Sequence, residues 1–347
     1  MKKGNRVGNR VIDGNLMPSS LISVGRQKLK KIQVPLVIDL MDQRTVLAGF
    51  LIKLAVFLAI FVLSDQMIGG LLHVGLKRYF GLNVPAAVLC IGHSHTVLGI
   101  DKIELEKQLH VPVAKYARQG ANASDRLVMI RHYLSTQPDA VRIIVYGVNA
   151  NTFTREGLSK NSYRLFYPFM DTPSIRDYVK ENVSSSGEYW LRRYMKLPRF
   201  NEVTLALSIR GWLSKWTNLK HGRIDIKKLR KMLSQGDFRK ITFDKKQVDL
   251  FEETIRLVRS HNIRLVLVYI PTIDILNEAE PEKYREAIRK FAAYAAKDTG
   301  ISFLNYNAEF SDRHDLFYDP IHLNPHGQKI ITGRLSKDLK KLMQIKK

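Results

Sequence analysis

The run VLAGFLIKLAVFLAIFVLSDQM, Val46 to Met67, constrains this chain more than any other stretch. At about 1.5 Å per residue in a helix it is long enough to cross a hydrocarbon layer of roughly 30 Å. Its one basic residue, Lys53, costs about 2.5 to 3.5 kcal/mol at mid-bilayer, but near the end of the run it can reach the interface. The many Leu, Ile, Val and Phe residues, each worth roughly 0.3 to 0.6 kcal/mol, outweigh it. The reading is a transmembrane helix over residues 46–68. A buried core helix is the alternative, and core helices seldom stay apolar for so long.

Before this run stand Lys2, Lys3, Arg6, Arg10, Arg26, Lys28, Lys30, Lys31 and Arg44, against Asp13, Asp39 and Asp42. The bias predicts a basic cytoplasmic segment over residues 1–45, with the chain after the helix on the opposite side of the membrane. The run starts late and lacks a clear small-x-small cleavage site, so it reads as an anchor rather than a removable signal. The formal net charge of +24 implies attraction to an anionic partner. An extracytoplasmic placement turns that from nucleic acid toward a lipid surface or an acidic glycan. Cys90 alone precludes an intramolecular disulfide, and its apolar surroundings read as core.

From residue 84 onward short apolar runs at 84–92, 111–117, 140–148, 263–271 and 301–307 alternate with helical patterns at 101–110, 122–136, 245–261, 281–298 and 325–343. Runs apolar on both faces, joined through helices, predict an α/β fold with a parallel sheet covered on each side. Asp101 with Glu104 reads as an acidic capping box, and Asn324 before Pro325 as an N-cap. A basic, aromatic insertion over about residues 152–242 contains EYWLRRYMKLPRF and reads as a helical cap. Whether it only covers the sheet or touches substrate or membrane stays open at this level.

Parallel sheets bind ligands at the carboxyl ends of their strands. There Ser94 follows the first strand in Gly92-His93-Ser94, and Asp319 and His322 lie three apart in YDPIHLNPHG. A carboxylate that fixes an imidazole, whose far nitrogen takes a proton from a hydroxyl, makes a nucleophile, base and orienter. A tetrahedral intermediate also needs oxyanion donors. The candidates are the amides of Ser94 and Gly120 and the Asn149 side chain, with Asn151 a rival. Each residue has a plainer reading: Ser94 as a helix cap, Gly120 as a turn, His322 as a core histidine. His95, His314 and His326 read as surface or supporting residues. His93-x-His95 with Asp319 and His322 offers a zinc set, but it leaves Ser94, Gly120 and Asn149 unused.

These four blocks in this order resemble the SGNH hydrolase superfamily. Gly92-His93-Ser94 matches its first block, Gly120 its second, Gly147-Val148-Asn149 its third, and Asp319 to His322 its closing Asp-x-x-His. His93 stands where the family has aspartate, and Ala150 where aspartate often follows. With the anchor, IGHSHTVLGID and YARQGANAS, the chain is most similar to the membrane-tethered bacterial branch, which includes D-alanyl transfer and alginate O-acetylation proteins. The resemblance implies a three-layer αβα sandwich with a five-stranded flavodoxin-like sheet over residues 80–347. It also implies Ser94, Asp319 and His322 as triad, Ser94, Gly120 and Asn149 as oxyanion hole, and no metal or cofactor. The implied activity is O-acyl transfer, as acetyl, to an extracytoplasmic glycan of the bacterial cell envelope, from the inner membrane and beside a multi-spanning O-acyltransferase. An esterase with the same triad, or a scaffold without catalysis, are the alternatives.

Overall fold

The computed structural model describes residues 40–154 and 161–344. The expected basic segment falls almost wholly on residues 1–39, outside the described residues. The chain divides between Ala55 and Val56 into two units. The described part of the first is the start of helix α1, Leu40–Phe80, exposed almost throughout residues 45–55. The helix is long and apolar enough from Thr45 to cross a membrane.

In the second unit β1 is Val88–Gly92, α2 Ser94–Gly99, α3 Lys102–Leu109, β2 Val113–Ala117, α4 Ala123–Thr136 and β3 Ile143–Val148. The insertion supplies α5 (Pro173–Asn182), α6 (Ser186–Tyr194), α7 (Glu202–Trp212) and α8 (Ile226–Ser234). Then come α9 (Lys245–Ser260), β4 (Arg264–Tyr269), α10 (Asp274–Asn277), α11 (Pro281–Lys297), β5 (Ile301–Asn305) and α12 (Asn307–Phe310). A small hairpin, β6 (Phe317–Asp319) with β7 (His322–Leu323), leads into α13 (Pro325–Gln344).

The five long strands pair in the order β2-β1-β3-β4-β5, all parallel. That is the flavodoxin-like order, and it reverses direction between β1 and β3. Both faces are apolar, which explains why the strands read as continuous hydrophobic runs. Leu89, Ile91, Tyr146 and Leu267 pack on one side with Met129, Tyr133, Phe251 and Phe291 of the helices α4, α9 and α11. Val88, Cys90, Val145 and Val268 pack on the other with Leu105 of α3 and Ile331, Leu335 and Leu339 of α13. Each such fully buried side chain contributes about 1.5 to 3 kcal/mol.

The structure differs from expectation at three local points. Helix α1 does not stop near residue 68 but runs to Phe80, because Leu76, Tyr79 and Phe80 are buried in the first core against Tyr116 and Phe169. The strands are shorter than their apolar runs; Val84 to Ala87, for instance, precede β1 as a turn that contains Pro85. The capping box at α3 is half formed. Asp101 accepts the N–H groups of Ile103 and Glu104, but its own N–H donates to Thr332, and Glu104 pairs with Gln108 instead.

Candidate active site

The turn after β1 is shaped by contact rather than by flexibility. A Cβ on Gly92 would lie 1.9 Å from Thr96 Oγ1, and one on Gly147 of β3 would lie 2.2 Å from the same atom. Thr96 is fully buried between the two strands. Glycine at both positions therefore lets α2 begin directly above the reversal of the sheet. His93 is extended at φ −100° and serves as N-cap, so Ser94 opens the helix with its hydroxyl toward the carboxyl edge.

Asp319 and His322 sit at the ends of β6 and β7, paired across the hairpin. Asp319 Oδ1 accepts the N–H groups of Ile321, at 3.0 Å, and His322, at 2.9 Å. Oδ2 lies 2.7 Å from His322 Nδ1, and His322 Nε2 lies 2.8 Å from Ser94 Oγ. An ionised carboxylate only accepts, so Nδ1 carries the ring proton and Nε2 is left to accept from the serine hydroxyl. Burial pushes the Asp319 carboxyl up, but its hydrogen bond to His322, the imidazole charge and the two backbone donors outweigh that and hold it below its ordinary value. The spacing DPIH thus closes geometrically through a turn that the acid itself caps.

Gly120, at φ +77°, occupies the left-handed region that glycine adopts without strain, and nothing lies within 4 Å of a Cβ placed there. Its requirement is conformational, not steric. Gly120, Ser94 and Asn149 border one cavity of about 550 Å³, a size that suits a small-molecule ligand. Asn151 borders it too, with its side-chain oxygen accepting from Thr154 at 3.4 Å.

The Asn149 amide is held by its neighbours. Its backbone N–H donates to Thr152 Oγ1 at 2.8 Å, and its Nδ2 lies 3.2 Å from His93 Nε2. Burial, then the charges of His95 and Arg126, push His93 well below its ordinary value, so the ring is neutral and accepts at one nitrogen only. His93 Nδ1 also lies 3.3 Å from the His95 N–H. Both contacts cannot be accepted at once. Donation from Asn149 requires the proton on Nδ1, so the longer contact from His95 is then not a hydrogen bond. In that state one Asn149 N–H is spent on His93 and the other remains for the cavity.

His95 is not at the surface. It is buried, with its ring edge-on to His93 at 4.5 Å and to His322 at 5.6 Å. Burial, with the charge of His322, pushes it down to about 3 against the opposing pull of Asp319. His314 pairs with Asp274 at 2.8 Å, and His326 is exposed. No cluster of three or more His, Cys, Asp or Glu suited to a metal ion occurs among the described residues.

Sequence patterning missed two features and left a third, the role of the insertion, open. Arg126 of α4 is fully buried, donates from Nη1 to the Gly147 carbonyl at 2.9 Å and from Nε to Asn122, lies over the Tyr146 ring and borders the cavity. No carboxylate forms an ion pair with it among the described residues. Lys115 is buried within β2 and donates from Nζ to the carbonyls of Val97 and Ile100 at the end of α2, with burial pushing it down to about 8. The insertion also walls the cavity, through Leu229 and Met232 of α8 and the following Phe238, Arg239 and Ile241. Arg126 and Lys115 carried no signal, because one basic residue in a patterned element normally faces water.

Fold and site together define an α/β domain with serine, histidine and aspartate in one hydrogen-bonded line at the carboxyl edge of its sheet. No protein-family model matches the sequence, and no curated protein matches it. Among solved structures the chain is similar to a GDSL-like lipase from Bacteroides thetaiotaomicron, at 11% identity and a TM-score of 0.40 over 78% of this chain and 99% of that one. It is also similar to a protein of the G-D-S-L family from Desulfitobacterium hafniense, at 12% and 0.37 over 72% and 97%. A family two carbohydrate esterase from Clostridium thermocellum is similar at 10% and 0.29 over 74% and 64%. At these TM-scores the chemistry is read from the chain's own site.

Proposed function

We propose that this chain is a membrane-anchored serine enzyme of SGNH type that transfers an acyl group, as acetyl, to a glycan outside the cytoplasm. The observation that carries the reading is the line from Asp319 through His322 to Ser94, which ends at a cavity bordered by Gly120 and Asn149.

The chemistry follows from the geometry. Ser94 Oγ attacks the acyl carbonyl while its proton passes to His322 Nε2. Asp319 holds the imidazolium through Nδ1–H, and the carbonyl oxygen becomes an oxyanion facing the amides of Ser94, Gly120 and Asn149. The buried Arg126 charge adds a fixed positive field on the same side. Collapse breaks the ester C–O bond, the alcohol leaves with the proton from His322, and the acyl group stays on Ser94. An acceptor hydroxyl then gives its proton to Nε2 and attacks the acyl carbonyl; the Ser94 Oγ–acyl bond breaks, the acyl group passes to the acceptor and Oγ takes the proton back from His322. A sugar hydroxyl makes the enzyme a transferase, and water makes it an esterase.

Location is part of this reading. The apolar helix is the single span, the basic residues before it keep the N-terminus in the cytoplasm of a bacterium, and the domain lies beyond the inner membrane. A multi-spanning O-acyltransferase is the partner that would supply the acyl group. Full-length protein in detergent, given an acetyl ester with and without an acetyl-free glycan, tests the function. Acetyl groups appearing on the glycan support transfer, whereas acetate alone supports the esterase.

A further inference from the structure

Helices α6 and α7 are fixed to α1 from Asp65, near the end of the apolar run, to Gly75. The buried Asp65 carboxylate accepts the N–H groups of Lys196, at 2.7 Å, and Leu197, at 2.8 Å. Ser208 Oγ donates to the Leu72 carbonyl at 2.6 Å, and Trp212 Nε1 to the Leu71 carbonyl at 3.0 Å. A Cβ on Gly211 would come within 1.8 Å of the Gly75 carbonyl, so the two helices cross in backbone contact. This packing uses one side of α6 and α7. The other side leaves Trp190 52%, Tyr194 70%, Val203 57% and Leu213 58% exposed, with Ile209 beside them, while Trp212, bonded to α1, stands half-exposed at its border.

Monomeric soluble proteins rarely leave so much apolar and aromatic surface uncovered. Here it adjoins Met67, Ile68, Leu71 and Val74 of α1, which are also exposed. Within the second unit the exposed apolar residues of α1 continue past residue 68, where the expected span ends, through Leu71 to Val74, the stretch to which α7 is bonded. Tryptophan and tyrosine favour the headgroup boundary, where the ring body is apolar and the N–H or O–H is wet. Arg192 and Arg193 pair with Glu188 and Asp171, and Arg210 donates to Asn218 and lies over the Tyr79 ring, so the half-buried Lys196 in the turn between the two helices is the cation of this set that suits anionic headgroups.

We propose that this face of α6 and α7 is immersed in the interfacial layer of an anionic membrane, so that the protein is held by one span and a second, lateral contact. The proposal rests on the reading that α1 spans that membrane. The insertion then does two jobs: α6 and α7 seat the domain on the lipid, and α8 walls the cavity.

The chain's three tryptophans, Trp190, Trp212 and Trp216, all lie in this insertion and report on it directly. Full-length protein is reconstituted into vesicles of phosphatidylcholine and phosphatidylglycerol whose acyl chains are brominated at a shallow or a deep position. The wild-type chain is compared with Trp216→Phe and with Trp190→Phe/Trp216→Phe, which leaves Trp212 alone. The expected result is about 2-fold or stronger quenching by shallow bromines, weaker quenching by deep ones, and little by aqueous acrylamide. Strong acrylamide quenching without lipid quenching, in protein that resists alkaline carbonate, overturns the contact while leaving the span intact. A protein partner as the natural occupant of this face would give that same result. Release of the protein by carbonate overturns the span and the contact with it.

Discussion

The carboxyl edge of the sheet and the insertion above it treat polarity in opposite ways. At the edge, polar groups are buried and directed: Asp319 takes two backbone donors and an imidazole, and Arg126 takes two carbonyls. In α6 and α7 the apolar groups are exposed, and polar groups are spent on docking to α1. Buried polar groups require fixed geometry, which suits a reaction centre. Exposed apolar groups require a second phase. The contrast separates residues that should change rate from residues that should change location.

The largest expected effect sharpens the first half of that contrast. Ser94→Ala or His322→Ala should lower kcat for ester cleavage by about 10⁴-fold or more, and the double variant should lose little beyond either single one. Additive losses in steady-state kinetics would separate the pair. Asn149→Ala should lower kcat by about 10² to 10³-fold with KM much less changed, because an oxyanion donor acts mainly in the transition state. His93→Ala should cost roughly 10-fold, since the ring only positions the Asn149 amide; His93→Gln, which can still accept from it, should recover part of the loss.

The pH dependence of folding is the next test. The unfolded His95 titrates near its ordinary 6.5 and the folded one at about 3, so the unfolded chain binds more protons between those values. His95 therefore contributes stability above pH 6.5 that is lost as pH falls toward 3. In His95→Gln, denaturant unfolding should lose less stability between pH 7 and 4.5 than wild type, by on the order of a few kcal/mol. The smallest effect belongs to the insertion: Trp190→Ser with Tyr194→Ser should leave cleavage of a soluble ester within about 2-fold while weakening contact with anionic vesicles. A large rate loss there would erase the contrast.

Much of the fold was legible because the central strands are apolar on both faces, a pattern few other architectures produce. Ser94, Asp319 and His322 were legible as chemistry-bearing residues at strand ends, and the structure brings them within hydrogen-bond distance. The extension of α1 to Phe80 was not, since the apolar run ends at Met67 and the inward packing of Leu76 and Phe80 arises only in the tertiary fold. Arg126 and Lys115 were invisible for a related reason: their burial depends on carbonyls that only the tertiary fold assembles. His93 faces Asn149, a contact across 56 residues that spacing does not encode.

The central claim is that Ser94 carries the acyl group. Full-length protein mixed with an acetyl ester, quenched in acid within the first turnover and digested for mass spectrometry tests it most directly. The account predicts one acetyl adduct on the peptide containing Ser94, absent from Ser94→Ala. Undiminished ester cleavage by Ser94→Ala, or cleavage abolished by a chelator, would contradict it.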